Sequence, residues 1–404
     1  MGAIIMNTQL AKLKRVAIFL VGFTTVSISA MAHADWSIIR LGTLGGYESR
    51  ALGINDTGQV VGNSEFEAGH ATYHAFITGP NGVGMTDLGT LGEDFYYDDS
   101  SAMAVNNSGQ VTGYFSGYDL GHAFVTGPNG VGMTDIETLG GKYSLGMDIN
   151  DSGQVVGESA IGGIHPSHAF ITGPNGIGMT DLGTLGGNNT IADGINNSGQ
   201  VVGYSYGLDG YRAFITGPNG IGMTNIGALG GDNSVARDIN NSGQVVGSAS
   251  FVNGIDHAFI TSPNGEVMTD LGTLGGIDSH AYGINDSGEV VGVASTDTGE
   301  DHSFVFSHGG ITDLSLLAPV VAAGWFDLFA TSINNNGQIV GYGHLGGYSD
   351  QAFLLSYTPD TIFTPNPIFI PPPSLIPEPE IYLMLLGGLG LIGYLARRRK
   401  ETVI

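Results

Sequence analysis

Apolar and polar residues change places over short runs along this chain, and the runs return in the same order. Gln200–Ser205 reads QVVGYS, Ala213–Thr216 reads AFIT and Met179–Gly183 reads MTDLG; a fourth kind of run ends in IN, as in Ala192–Asn196. These segments are too short and too rich in β-branched residues for helices, so each is read as a strand. Between them stand NDSG or NNSG and GPNG, with Gly where a positive φ is needed and Pro suited to the first central position of a turn. Each unit is therefore four antiparallel strands, and helix outside the two chain ends is expected to be close to absent.

The unit recurs seven times. The I-N-[DN]-x-G motif stands at Ile54–Gly58, Ile149–Gly153, Ile195–Gly199, Ile239–Gly243, Ile284–Gly288 and Ile333–Gly337, with Val for Ile at Val105–Gly109, at spacings of 44 to 51 residues. A second anchor, HAF[IV]T, follows at His74–Thr78, His122–Thr126, His168–Thr172 and His257–Thr261. Weaker forms stand at Arg212–Thr216, His302–Phe306 and Gln351–Leu355. Four strands per unit at this period predict an all-β, seven-bladed β-propeller rather than an open array or β-helix. The phase of the repeat says how the ring closes. The first strand-like stretch, Trp36–Leu41, has the character of a fourth strand, and the last copy stops on a third, Gln351–Tyr357. The N-terminal strand is expected to complete the last blade, which leaves no open edge.

The two ends read as addresses. Lys12, Lys14 and Arg15 precede the apolar run Val16–Ala30, and an A-x-A site follows with Ala32 and Ala34, the form of a signal peptide over residues 1–34. The propeller is assigned to residues 35–357. Residues 358–380 form a Pro-rich linker that holds eight of the 15 prolines, an extended spacer. Ile381–Ala396 is uncharged and spans about 24 Å as a helix, a marginal membrane crossing. Residues 397–404 make a basic tail expected on the cytoplasmic side. Together these predict an N-terminal signal helix, a C-terminal transmembrane helix and transient residence in the inner membrane. The chain has no Cys, so disulfides and thiolate metal sites are excluded. Its formal charge is −25, and of its 12 basic residues only Arg40, Arg50, Lys142, Arg212 and Arg237 lie between the ends. Such a body repels phosphate backbones, so nucleic acid is not an expected partner.

Pro377, Glu378 and Pro379, the apolar stretch and Arg397, Arg398 and Arg399 resemble, in that order, the PEP-CTERM sorting signal. The resemblance implies a Gram-negative cell, processing by an exosortase near the Pro-Glu-Pro, and delivery to the cell surface or an exopolysaccharide matrix. The body, over roughly residues 40–357, resembles the HAF family of extracellular repeats through HAF[IV]T, GPNG and LGTLGG; that likeness implies export and no particular activity. The last copy departs most from it, with LSLLAPVVAAGWFDLF at Leu314–Phe329.

Antiparallel alternation puts the NDSG and GPNG turns on one face and the variable loops on the other. Tyr96, Tyr97, Asp98, Tyr206, Tyr211 and Trp325 lie in or beside those loops, and aromatic and acidic residues there suit sugar stacking and polar capture. The repeated histidines sit at equivalent third-strand positions, too far apart to share an ion, and are assigned a structural role such as capping a turn. DINDSG at Asp148–Gly153 and DINNSG at Asp238–Gly243 resemble the opening of a calcium loop, but Ser159 and Ala249 stand where its glutamate belongs. No cofactor is expected; Asp94, Asp98 and Asp99 form only a weak case for calcium. No catalytic constellation stands out, although Glu93, Asp94, Asp98 and Asp99 could pair as carboxylates. The expected function is a non-catalytic surface or matrix module associated with exopolysaccharide, not an enzyme; the alternative is a polysaccharide-active glycosidase or lyase working on the loop face.

Overall fold

The structure is a computed structural model that describes residues 35–358, except 70–71, 92–97, 117–120, 208–209 and 348. Its 28 strands form seven four-stranded antiparallel sheets. In the fourth blade the strands are Asn189–Ile195, Val201–Gly207, Gly210–Thr216 and Met223–Asn225, hydrogen-bonded in that order. The seventh blade is made from both ends of the body. Trp325–Ile333, Ile339–Leu345 and Asp350–Thr358 are joined by the N-terminal strand Asp35–Arg40, with Asp35 opposite Thr358 and Arg40 opposite Phe353. The closure expected from the repeat phase is thus the observed one. Trp36 sits over Tyr357 with ring centroids 5.1 Å apart. The segments expected as signal peptide, linker, transmembrane helix and basic tail lie outside the described residues, and among the described residues no helix is long and apolar enough to cross a membrane.

The core lies between blades. The Phe of each HAF-type anchor, from Phe76 through Phe353, is fully buried. Phe124 of the second blade packs on Val61, Ala75 and Ile77 of the first, and the same arrangement recurs around the ring. Seven such clusters fill seven interfaces, and the one that seals the ring joins Ala51, Val60 and Phe76 to Val340, Ala352 and Leu354. Burying a Phe contributes about 2–3 kcal/mol, so each interface is stable only with both neighbours present.

Both turn motifs do what their residues dictate, one in an unexpected way. In GPNG the residues with positive φ are Asn81 (55°) and Gly82 (71°), and Val83 N–H donates to Pro80 O. Pro is therefore the corner residue and Asn-Gly the central pair, because a twisted hairpin turn needs positive φ at both central positions and Pro cannot adopt it. The variable segment before the seventh blade adds a short helix, Ala318–Ala323, whose Val320 packs beside Trp325.

The first strand of every blade is innermost, and its Asn closes a ring around the axis. Asn55 Nδ2 donates to Asn106 O, Asn106 to Asn150 O, and so on through Asn196, Asn240, Asn285 and Asn334, which donates back to Asn55 O at 2.9 Å. The next residues, Asp56, Asn107, Asp151, Asn197, Asn241, Asp286 and Asn335, make a second closed ring, each backbone N–H donating to the following side-chain oxygen. No two aspartates are neighbours in it. This turn-face mouth is fully bonded to itself.

Candidate functional site

Inside the channel the inner strands depart from a regular ladder. Ala51 faces Gly62 while Gly53 faces Val61, so Leu52 is an extra residue. The same register shift bulges Met103, Met147, Asp193, Arg237, Tyr282 and Thr331. A bulge turns its residue out of the ladder, and these seven side chains line one cavity of about 140 Å³ on the axis. The glycine opposite each bulge is required. A Cβ on Gly203 would overlap the carbonyl oxygen of Ile191, and the same is true of Gly62, Gly113, Gly157, Gly247, Gly292 and Gly341 against their inner strands.

This tier is chemically divided. Blades one to three contribute Leu52, Met103 and Met147, while blades four to seven contribute Asp193, Arg237, Tyr282 and Thr331. Arg237 Nη1 lies 2.9 Å from Asp193 Oδ2, and its guanidinium is 5.6 Å from the ring centre of Tyr204. Tyr204 continues outward into Tyr206 and Tyr211, at centroid distances of 5.6 and 5.9 Å, and Tyr206 and Tyr211 are 4.7 Å apart. On the other side Tyr282 touches Phe329 at 4.9 Å, Phe329 stacks on Tyr342 at 5.2 Å, and Arg50 covers Tyr342 at 5.2 Å. Arg50 is ion-paired with Asp350 at 2.6 Å. An arc of aromatic rings with two arginines therefore runs over the first and second strands from blade four through blade seven to Arg50 of blade one, and reaches the loop face through Tyr211.

One step below the bulges stand Asp148 and Asp238. Asp148 accepts N–H groups from Ile149 and, across the blade interface, Ile195; Asp238 accepts those of Ile239 and Ile284. Burial, reinforced by repulsion from Asp238, pushes Asp148 up to about 8 despite those bonds. Burial pushes Asp238 up to about 6. Burial also lifts Asp193 to about 6, with Arg237 pulling the other way.

The expected site residues are distributed differently. Tyr206 and Tyr211 meet on the fourth blade, as above. Trp325 is 6% exposed and packs edge-on to Phe353, so its ring belongs to the core. Asp98 is also buried. Tyr96, Tyr97, Glu93 and Asp94 lie outside the described residues. The third-strand histidines have a specific partner. His74, His122, His168, His257 and His302 each direct Nδ1 at an aspartate of their own fourth strand, Asp87, Asp135, Asp181, Asp270 and Asp313, at 2.7 to 3.0 Å. The aspartate, rather than the histidine, caps the following turn, as where Asp87 Oδ1 accepts Gly89 N–H. In the fourth blade Arg212 and Asn225 stand in these two places. Among the described residues no three His, Asp or Glu side chains gather around a common point as metal ligands.

Arg237, Asp193, Tyr282 and Tyr204 were not singled out in the sequence. A signal was present. Between the near-constant Ala and the I-N pair, the repeats read Leu52, Met103, Met147, Asp193, Arg237, Tyr282 and Thr331, a freely varying column inside a constant strand. The strand glycine of QVVG, repeated seven times, marks the bulge opposite.

Comparisons with known proteins bear on the tail and on the fold. Residues 375–400 match the PEP-CTERM protein-sorting motif. The protein is thus directed for export to the cell surface and carries the signal processed by an exosortase-type enzyme. No curated protein matches the chain. Among solved structures, an oligogalacturonate lyase in complex with manganese aligns at 12% identity and a TM-score of 0.53, over 81% of this chain and 94% of its own. An oligogalacturonate lyase from Vibrio parahaemolyticus aligns at 10% identity and 0.48, over 80% and 96%. A puromycin hydrolase aligns at 12% and 0.47, over 77% and 52%. These likenesses concern the fold. The first of them, at a TM-score of 0.53, corrects one expectation: an enzyme is built on a fold of this kind, so the lack of a recognisable catalytic motif is no ground for calling the protein a non-enzyme.

Proposed function

We propose that this exported propeller engages extracellular polysaccharide at the loop-face end of its channel. The observation that carries the reading is the continuous run from Asp193 and Arg237 in the bulge tier, through Tyr204, to Tyr206 and Tyr211 at the surface. Tyrosine faces stack on sugar rings, and an Asp–Arg pair offers an acceptor and several donors to hydroxyl groups. Tyr211 is 40% exposed, Arg237 is partly exposed and Asp193 is largely buried, which grades from an open platform to a fixed polar anchor. Residues 1–34 act as signal peptide in this reading, Ile381–Ala396 holds the inner membrane until the exosortase step, and the repeats are of the HAF type. The mature protein then begins at Asp35 and ends near Pro379. Binding of the mature protein to its producer's exopolysaccharide, followed by titration calorimetry, tests the ligand; Tyr211→Ala should weaken binding at least tenfold without moving the melting temperature. Mass spectrometry of the surface pool tests both ends, and a surface form retaining Arg397–Arg399 would exclude the processing step.

A second reading is favoured by a separate observation. Asp193, Asp238 and Asp148 line the same channel as Arg237 and Tyr282, and burial lifts all three carboxyls towards the range suited to general acid–base work at pH 7. Under this reading the propeller cleaves the polysaccharide it holds. New reducing ends would indicate hydrolysis, and unsaturated products elimination.

A further inference from the structure

The electrostatics of the arc decide which sugars it suits, an inference that rests on the function proposed above. A sugar carboxylate is held by a cation whose charge is not already matched. The arc contains two arginines, and neither has charge to spare; a third, Arg212, stands behind Tyr211 at the rim and donates from Nη1 to the Tyr211 carbonyl. Arg237 is paired with Asp193 at 2.9 Å and lies against Tyr204. Arg50 is paired with Asp350 at 2.6 Å and lies against Tyr342. Beneath them Asp238 accepts the backbone N–H groups of Ile239 and Ile284 and has no cationic partner among the described residues. The surrounding body holds five basic residues among more than thirty acidic ones. A polyanion approaching this mouth finds no unmatched cation inside it and meets the long-range repulsion of the acidic body.

Uncharged hydroxyls fit the same groups well. A guanidinium locked to a carboxylate still presents outward N–H donors, the carboxylate keeps free lone pairs, and the tyrosine faces take the C–H side of a sugar ring. We infer that the Tyr204–Arg237–Asp193 site, with Tyr206 and Tyr211 as its platform, takes the uncharged sugar units of a neutral polysaccharide and rejects polyuronates.

Asp193 is the residue that sets this choice, which supplies a gain-of-function test. Mature protein is titrated with cello-, malto- and manno-hexaose and with hexagalacturonate, at low and high salt, with and without added calcium. At least one neutral hexaose should bind with an affinity that salt leaves unchanged, and hexagalacturonate should not bind under any condition. Asp193→Asn keeps the shape of the site while freeing the charge of Arg237. It should gain at least tenfold in affinity for hexagalacturonate, and that gain should vanish at high salt. Arg237→Gln should show no such gain; circular dichroism melts confirm that both variants fold. Tighter binding of hexagalacturonate than of every neutral hexaose by the unaltered protein would overturn the inference and leave the polysaccharide reading standing. Failure of all four sugars to bind would overturn both.

Discussion

The two tiers of the channel are built from the same seven strands, three residues apart, and they have opposite characters. At the turn-face mouth every blade offers the same Asn, bonded to its neighbours in a closed circle. At the bulges the seven blades offer Leu52, Met103, Met147, Asp193, Arg237, Tyr282 and Thr331. The difference lies in what each position must do. An Asn of the lower ring satisfies groups in two blades at once: its Oδ1 accepts N–H groups of its own turn and its Nδ2 reaches the next blade. Any other residue strands those buried donors and acceptors. A bulged residue owes nothing to the ladder, because its neighbours on either side carry the pairing. The lower tier is therefore held to one residue type by stability, while the upper tier is free to differ and can carry a site on one side of the ring only.

The strongest way to break the comparison is to open the circle. Deleting residues 35–40 removes the outer strand of the seventh blade, exposes Tyr357 and Leu355, and weakens the interface through which Asn334 reaches Asn55. Losing the burial of Trp36 and Ile38 costs several kcal/mol, so the melting temperature should fall by about 10 °C or more and aggregation should follow. A truncated protein that melts like the intact one would mean the lower ring does not depend on closure.

Next in size is the glycine opposite a bulge. Gly203→Ala forces a Cβ onto the Ile191 carbonyl, and should destabilise by about 3 kcal/mol or more, read by urea unfolding. The two tiers can then be set side by side within one blade. Asn150→Ala strands two backbone N–H groups and the Asn196 carbonyl and should cost about 2–3 kcal/mol, whereas Met147→Ala, facing the channel, should cost under about 1 kcal/mol. Equal losses would refute the division between a bonded tier and a free one.

A pH dependence sharpens the picture of the channel further. Asp148 has a higher pKa folded than unfolded, so the native state binds the proton more tightly and the stability it contributes is greatest below the ordinary carboxylate pKa of about 4. That contribution is lost as pH rises towards 8. Asp148→Asn, which cannot ionise, should therefore gain on the parent as pH rises from 4 to 8, by a few degrees in melting temperature, and level off above that. A gap that stays constant with pH would show that Asp148 is ionised throughout.

The repeat count, the four-strand unit and the closing role of Trp36–Leu41 were all legible in the sequence. They rest on local properties: which residues favour strands, which tolerate positive φ, and the phase at which the chain begins and ends. The same local reasoning placed Pro at the centre of GPNG, where the hairpin's twist demands Asn-Gly. It placed Trp325 on the loop face because it stands in a variable segment, whereas that segment folds a helix over it and encloses it with Phe353. It paired no histidine with its aspartate, since the two meet only when the third and fourth strands align.

The sequence by itself determined that the body is a ring of seven and that the chain carries a sorting signal, because periodicity and a linear motif survive without coordinates. Only the tertiary structure decided which residues share the channel. Asp193, Arg237 and Tyr282 are 44 and 45 residues apart along the chain and are brought together by the ring, and a one-residue bulge turns them inward. A bulge is set by the strand opposite and by the glycine that makes room for it, and so it is a property of the folded blade rather than of the segment that contains it.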